Sequence, residues 1–145
     1  MNTETLFLTV LKNLITAFLN DYNGGITMKL SEVKEILNAK VVTGEEFLDR
    51  EVESAFGSDL MSDVLAFVKD HSLLLTGLVN GQVVRTAEMM DIKAIVFVRG
   101  KEPTEDIAEL AKEYGIVIMS TDYTLYPSCG KLYKAGLIPD EERVS

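Results

Sequence analysis

The stretch Ala94-Ile95-Val96-Phe97-Val98 is apolar at every position and rich in β-branched residues. This composition is typical of a strand in a parallel sheet whose two faces are both covered by helices. Two further short apolar runs, over residues 72–76 and 116–119, precede and follow it in the chain. We therefore predict three central, buried strands.

The segments between these strands have the apolar periodicity of amphipathic helices. One predicted helix opens at Asn80, and its buried residues are Val83, Val84, Ala87 and Met90. The next begins near Pro103 and Thr104 and ends at Gly115, with an apolar face of Ile107, Leu110, Ala111 and Tyr114. Helices that alternate with short strands predict right-handed crossovers and a mostly parallel sheet.

The flanking segments extend this pattern. Ser31 is a candidate cap for a short helix, residues 40–44 resemble a strand that runs into a turn, and residues 51–56 alternate as a half-exposed strand. Ser58 or Asp59 is a candidate N-cap for a helix with an apolar side of Leu60, Val64, Leu65 and Val68. A last helix carries Leu125, Cys129, Leu132 and Tyr133 and ends at Gly136.

These elements predict an α/β fold, with a mostly parallel central sheet of about five strands flanked by helices. The domain is expected over residues 28–138, with a short tail over residues 139–145. A chain of 145 residues with 47% hydrophobic residues can bury such a core without disulfides or metal.

Residues 1–27 form a separate segment with a broad apolar helical surface, and three interpretations of it stay open. It is an extra N-terminal helix packed on the domain, or an exposed amphipathic helix that recruits a partner or dimerises. Alternatively, it is not natively translated, because Asn23-Gly24-Gly25-Ile26-Thr27-Met28 can be encoded with a GGAGG ribosome-binding sequence ahead of the Met28 codon. The apolar run at 6–19 is too short and too interrupted to span a membrane.

Composition excludes several classes of partner. A formal net charge of −9 disfavours binding to nucleic acid, which draws on clustered lysine and arginine, and adsorption to anionic membranes. The single cysteine, Cys129, precludes an internal disulfide and suits a reducing compartment, so we expect a cytoplasmic location.

No catalytic motif is present in the sequence. It contains no phosphate-binding loop of the Gly-x-x-x-x-Gly-Lys type, no Cys-x-x-Cys pair and no Gly-x-Ser-x-Gly elbow. His71 is interpreted as a loop residue at a helix end, and Cys129 as a small buried hydrophobe. Asp59 and Asp63 are interpreted as solvated residues at an acidic helix start. We therefore expect no catalytic residue, no metal and no cofactor, and a protein that is not an enzyme.

A ligand is expected where the predicted parallel strands end, because such sites lie beyond the carboxyl ends of strands. The loops at 76–82, 99–101 and 120–124 offer backbone donors, small or hydroxylated side chains and two cations. The candidate binding residues are Thr76, Gly77, Asn80, Gly81, Arg99, Gly100, Lys101, Ser120, Thr121 and Thr124. They suit a small anionic ligand or nucleotide; the alternative is that they only form turns and caps.

Several of these segments, taken in order, resemble the DRTGG domain family, in particular its stand-alone members. The matching stretches are Met28-Lys29-Leu30-Ser31, residues 58–63, Leu74-Leu75-Thr76-Gly77, residues 85–89, Ile95-Val96-Phe97-Val98-Arg99-Gly100-Lys101 and residues 128–133. The resemblance runs from Met28 to about Leu137, which favours Met28 as the start of the protein. The five-letter motif of the family is absent as written, and Thr76-Gly77 is its nearest counterpart.

The resemblance implies an α/β domain similar in fold to the N-terminal domain of HPr kinase, regulatory or ligand-sensing and often dimeric, with no catalytic residues to carry over. Our leading hypothesis is a non-catalytic regulatory domain that forms a homodimer and binds a small anionic metabolite or nucleotide. The alternative is a protein-interaction subunit that scaffolds a larger complex with a protein partner.

Overall fold

The computed structural model describes residues 2–23 and 26–142. The helices are α1 (Thr3–Asn23), α2 (Leu30–Ile36), α3 (Met61–Phe67), α4 (Gly81–Met89), α5 (Glu105–Glu113) and α6 (Leu125–Lys134). The strands are β1 (Met28–Lys29), β2 (Lys40–Thr43), β3 (Glu51–Val52), β4 (Ser54–Gly57), β5 (Ser72–Thr76), β6 (Ala94–Phe97) and β7 (Val117–Ser120). Short 3-10 turns cover Glu45–Phe47 and Asp140–Glu142.

The central sheet has five strands in the order β2-β7-β6-β5-β4. The pairs β4–β5, β5–β6 and β6–β7 are parallel, and only β2 runs antiparallel, against β7. Strands β5, β6 and β7 are buried along their whole length, as their unbroken apolar composition predicts. The mostly parallel α/β fold expected from the sequence is confirmed.

Helices cover both faces of this sheet. On one face, Val64 of α3, Val84 of α4 and Ala111 of α5 share a core cluster with strand residues such as Leu74 and Ile95. On the other face, Val33 of α2 and Leu132 of α6 pack against Leu73 and Val96. Right-handed crossovers that move one strand at a time along the sheet place α3, α4 and α5 on the same side.

Three local predictions in the first half of the domain are wrong. Ser31 is not a cap, because α2 begins one residue earlier and Lys29 occupies its cap position. The expected strand at 51–56 is two strands, since β3 pairs with β1 in a separate two-stranded sheet while β4 joins the central sheet. The apolar side expected for the following helix is only half buried: Val64 and Val68 lie in the core, whereas Leu60 and Leu65 are exposed.

The extra N-terminal helix is present as α1, and much of its apolar surface is exposed. Its exposed large apolar residues are Leu6, Phe7, Leu8, Val10, Leu11, Leu14, Ile15 and Phe18. Thr16 is buried on this helix, and a Cβ atom added to Gly136 would clash with its Cγ2 atom. Within residues 2–23 and 26–142, none of the helices has the length and apolar character that a membrane span requires. A translation start at Met28 stays a prediction.

Candidate functional site

The carboxyl ends of the four parallel strands meet at one edge of the central sheet. The register pairs Gly57 with Leu75, Thr76 with Phe97, and Phe97 with Ser120. The loops that follow these strands are therefore neighbours, as the parallel topology predicts. The antiparallel strand β2 starts at this edge, where Lys40 forms a 2.8 Å ion pair with Glu102.

Gly77, the first residue after β5, forms hydrogen bonds through both its N–H and its carbonyl group. Its backbone N–H donates to Oδ1 of Asp59 over 2.7 Å, and its carbonyl oxygen accepts from Nη2 of Arg99 over 3.1 Å. The hydroxyl of Thr76 donates to the same Asp59 oxygen over 3.1 Å and accepts from the N–H of Leu78. The three strand-end loops after β4, β5 and β6 are thus joined by side chains.

Arg99 and Asp59 form a half-exposed pair of opposite charges above Gly77. Nη1 of Arg99 lies 4.0 Å from Oδ2 of Asp59, and the two side chains are 46% and 48% exposed. A Cβ atom at position 77 would lie 2.5 Å from Nη2 of Arg99, so only glycine allows the guanidinium this close to the backbone. The exposed part of the guanidinium leaves N–H donors for a ligand.

The backbone of Arg99 is held in an uncommon conformation. Arg99 has φ +63° and Gly100 has φ +68°, so two consecutive residues are left-handed. The N–H of Arg99 donates to the carbonyl of Tyr123 over 2.8 Å, and the N–H of Gly100 donates to the carbonyl of Thr121 over 2.9 Å. The β6–α5 loop is therefore fixed to the β7–α6 loop, and this directs the Arg99 side chain towards β5. Backbone strain of this kind costs about 1–3 kcal/mol and is common at functional sites.

A second guanidinium lies at the far end of the β5–α4 loop. Asn80 caps α4 as predicted, because its Oδ1 accepts from the N–H of Val83 over 3.1 Å. A Cβ atom at Gly81 would lie 3.1 Å from Nη1 of Arg85, which places this guanidinium over the first turn of the helix. Arg99 and Arg85 therefore flank the loop that starts at Gly77.

The structure brings together only some of the ten predicted residues. Thr76, Gly77 and Arg99 contact one another or the shared carboxylate, and Asn80 and Gly81 open the adjacent helix. Gly100, Lys101 and Ser120 hold two loops together, since the Ser120 hydroxyl donates to the Lys101 carbonyl over 2.7 Å. Thr121 is buried and donates to the carbonyl of Leu37 over 2.6 Å, whereas Thr124 is exposed at the start of α6.

Two residues of the candidate site, Asp59 and Arg85, were not predicted from the sequence. Asp59 was expected to be a solvated residue or a cap, but its carboxylate binds Thr76 and Gly77, and Leu60 occupies the cap position of α3. Its position two residues after the end of β4, beside the other strand-end loops, is the sequence feature that indicates this role. Arg85 lies four residues after Gly81 on the same helix, a spacing that places it on the face above the loop.

The described residues were also compared with the groups that metal binding or thiol chemistry needs. Among the described residues, no group of three or more His, Cys, Asp or Glu could hold a metal ion. Cys129 is half buried, and a Cβ atom at Gly57 would lie 2.6 Å from its sulfur. Burial raises the pKa of the Cys129 thiol, which disfavours the thiolate that a nucleophile needs. His71, with φ +61°, is exposed at the opposite end of β5, where its carbonyl accepts from Glu53.

Comparisons with known proteins identify the family and a structural neighbour. The family model described as the DRTGG domain matches residues 32–134. A solved structure described as the CBS and DRTGG domains of the regulatory region of Clostridium perfringens pyrophosphatase, complexed with the activator diadenosine tetraphosphate, superposes with a TM-score of 0.59 at 16% identity. The match covers 81% of this chain and 50% of that chain, so the present chain spans half of that structure. No curated protein sequence matches.

Proposed function

This chain belongs to the DRTGG domain family, and from that premise we propose that it is a non-catalytic regulatory domain that binds a small anionic ligand, of which a nucleotide is the first candidate. The ligand binds at the carboxyl edge of the central sheet, in front of the β5–α4 loop. Binding there changes how the domain associates with itself or with another protein.

The position of Arg99 carries this proposal. Its guanidinium is half exposed, fixed by the Gly77 carbonyl and directed by a left-handed backbone, so little side-chain entropy is lost when an anion binds. A planar guanidinium offers paired donors that match the oxygens of phosphate or carboxylate. Arg85 supplies a second cation at the other end of the loop. In a chain with net charge −9, two such groups beside one loop favour an anion at that place.

The structural neighbour supports a nucleotide as the first candidate. That protein is a regulatory region in complex with a dinucleoside polyphosphate activator. The present chain has the fold of part of that region, and polyphosphate is the type of anion that two arginines recognise. We infer that diadenosine tetraphosphate, ATP, ADP and AMP are the first compounds to test.

A thermal-shift and calorimetric screen of these nucleotides, with acetyl phosphate and inorganic phosphate, tests the proposal. A true ligand raises the Tm by linkage, and its binding weakens about 10- to 100-fold in the Arg99→Ala variant, because a charge-assisted hydrogen bond is lost. The matched control is Lys93→Ala, a half-exposed cation just before the opposite end of β6. Absence of any stabilisation, or equal effects of Arg99→Ala and Lys93→Ala, would contradict ligand binding at this edge.

A protein-interaction subunit is the second candidate function. The observation that favours it is the exposed apolar surface of α1, which is larger than scattered surface residues explain. Co-purification of a fixed partner that is lost in Phe7→Asp and Leu14→Asp variants would support this function. For either function, the half-buried thiol of Cys129 suits a reducing compartment, and we propose the cytoplasm.

A further inference from the structure

A groove of about 270 Å³ lies beside the amino ends of β4 and β5. Ser54 and Ser72, the first residues of these two strands, line it and are partners in the strand register. The groove therefore lies at the opposite end of the parallel strands from Thr76 and the candidate anion site beside Arg99. The two ends of β5 are about 13 Å apart.

The side chains of Ser54 and Ser72 face the side of the sheet that carries α3. Side chains two residues apart in a strand lie on the same face, and Phe56 and Leu74 share a core cluster with Val64 of α3. Residues at the end of α3 form the wall of the groove on that side. The two serine hydroxyls therefore lie at the floor of the groove.

Both hydroxyls are buried and have no hydrogen-bond partner in the protein. Ser54 is 2% exposed and Ser72 is 4% exposed. Within residues 2–23 and 26–142 neither hydroxyl forms a hydrogen bond, whereas the buried hydroxyls of Thr121 and Ser128 both donate to carbonyl oxygens. A buried hydroxyl without a partner costs free energy. Two of them on neighbouring strands indicate that the groove binds a molecule that forms hydrogen bonds with both.

Two exposed side chains of opposite charge lie at the rim of the groove. Lys69 follows the end of α3, and Glu141 lies in the C-terminal 3-10 turn. Neither forms an ion pair with a residue that the structure describes. The carbonyl oxygens of Ala66 and Phe67, in the last turn of α3, also accept no hydrogen bond within that part of the chain. The rim therefore offers a cation for an anionic group and several acceptors for a cationic group.

The remaining walls of the groove are apolar. They include Phe56, Phe67, Val68 and Pro139. The Phe67 side chain is 63% exposed, so its ring is accessible to a ligand. The volume is just below the range of about 300–1,000 Å³ that is typical of sites for drug-sized ligands, which favours a small metabolite over a nucleotide.

We propose that this groove binds a free α-amino acid with an apolar side chain, such as leucine or phenylalanine. The α-carboxylate accepts hydrogen bonds from Ser54 and Ser72 and is neutralised by Lys69. The α-ammonium group binds Glu141 and the free carbonyl oxygens of α3, and the apolar side chain packs against Phe67.

The charges at the rim favour a zwitterion over an anion. Glu141 repels an anion, and so does a chain with a net charge of −9. A zwitterion carries no net charge and complements both Lys69 and Glu141. This distinguishes the groove from the opposite edge of the sheet, where Arg99 and Arg85 favour an anion.

Thermal-shift and calorimetric titration of the full chain with leucine, isoleucine, methionine and phenylalanine tests the proposal. We expect saturable binding of at least one of them, with a rise in Tm by linkage. Leucinamide lacks the carboxylate and the α-keto acid of leucine lacks the ammonium group, so each is expected to bind about tenfold more weakly than leucine. No rise in Tm with any amino acid, or equal binding of the α-keto acid, overturns the proposal.

Ser72→Ala separates a hydroxyl that binds a ligand from one that stabilises the fold. Because this hydroxyl forms no hydrogen bond within the described chain, alanine leaves the Tm unchanged or raises it, whereas the affinity for the amino acid falls about five- to tenfold. A lower Tm with unchanged affinity would assign the hydroxyl to folding and overturn the proposal.

Lys69→Ala is expected to lower the affinity about two- to fivefold, the effect of an exposed ion pair. The matched control is Lys112→Ala, an exposed lysine in the last turn of α5 on the same side of the sheet, which leaves the affinity unchanged. Equal effects of the two variants would contradict binding in this groove.

The proposal does not depend on nucleotide binding at the carboxyl edge, and Arg99→Ala distinguishes the two sites. This variant is expected to weaken nucleotide binding and to leave the affinity for the amino acid unchanged. A loss of amino-acid affinity in Arg99→Ala would place the amino acid at the carboxyl edge and overturn its assignment to this groove.

Discussion

The carboxylate of Asp59 lies 2.7 Å from the backbone nitrogen of Gly77 and links two loops that are 18 residues apart in the chain. The same carboxylate faces Arg99 at 4.0 Å. Asp59 thus accepts the hydrogen bond of the Gly77 N–H and partly neutralises Arg99, at the edge where an anion is proposed to bind. This residue organises the candidate site, and we expect it to weaken the binding of an anion there.

Asp59→Ala is expected to lower the free energy of unfolding by about 1–2 kcal/mol, because the Gly77 N–H and the Thr76 hydroxyl lose their charged acceptor. Asp59→Asn keeps an oxygen acceptor at Oδ1 and is expected to cost less. Urea denaturation of the three proteins measures both values. Equal losses of unfolding free energy in Asp59→Ala and Asp59→Asn would show that these hydrogen bonds contribute nothing to stability.

Asp59→Asn is also expected to tighten the binding of an anionic ligand by about three- to tenfold, since it removes a negative charge from the vicinity of Arg99. Calorimetric titration with the best nucleotide from the screen measures the change. An unchanged or weaker affinity would place the anion away from Arg99.

Gly77→Ala is expected to affect binding much more than stability. The added methyl group would meet the flexible end of Arg99, 2.5 Å from Nη2, and displace the guanidinium from the Gly77 carbonyl. The affinity for the ligand then falls towards that of Arg99→Ala. Thermal unfolding and titration of the variant separate the two effects.

Gly130→Ala is the matched control for this substitution. Gly130 lies inside α6, and no atom lies within 4 Å of a Cβ built there. Alanine in a helix interior is expected to raise the free energy of unfolding by about 0.5–1 kcal/mol without changing ligand affinity. A loss of affinity here would show that binding responds to α6 as well.

The stability of the protein is expected to fall at alkaline pH through Cys129. Burial raises the pKa of this thiol above its ordinary value of 9.0, so the folded state keeps a proton that the unfolded state releases. The contribution is fully present below about pH 9 and is lost as the pH rises through the folded pKa. The difference in unfolding free energy between wild type and Cys129→Ala, measured from pH 7 to 10, should shrink. A constant difference would contradict this assignment.

The core of the fold could be predicted from local composition. The apolar runs of β5, β6 and β7 and the capped helices between them are signals within ten residues of sequence, and their parallel pairing follows from the crossover rule. The split at residue 53 could not be predicted, because the alternation in 51–56 is continuous and the separation depends on which distant strand each half joins. The antiparallel direction of β2 depends likewise on a long-range partner, β7.

The location of the candidate site could also be predicted from the sequence. The hydrogen bonds within the site could not. Thr76, Gly77 and Arg99 were identified because they follow strands that end together. That Thr76 and Gly77 are already bonded to Asp59 depends on the side-chain direction of a residue from a third loop. The direction of Arg99 depends on a left-handed φ, which arginine adopts here because neighbouring backbone groups hold the loop.

Calorimetric titration of the wild-type chain and its Arg99→Ala and Lys93→Ala variants, with diadenosine tetraphosphate and ATP, tests the account most directly. Saturable binding of at least one nucleotide to wild type and Lys93→Ala, with an affinity reduced about 10- to 100-fold in Arg99→Ala, is the predicted result. No heat of binding with either nucleotide, or equal affinity in all three proteins, would contradict nucleotide recognition by Arg99.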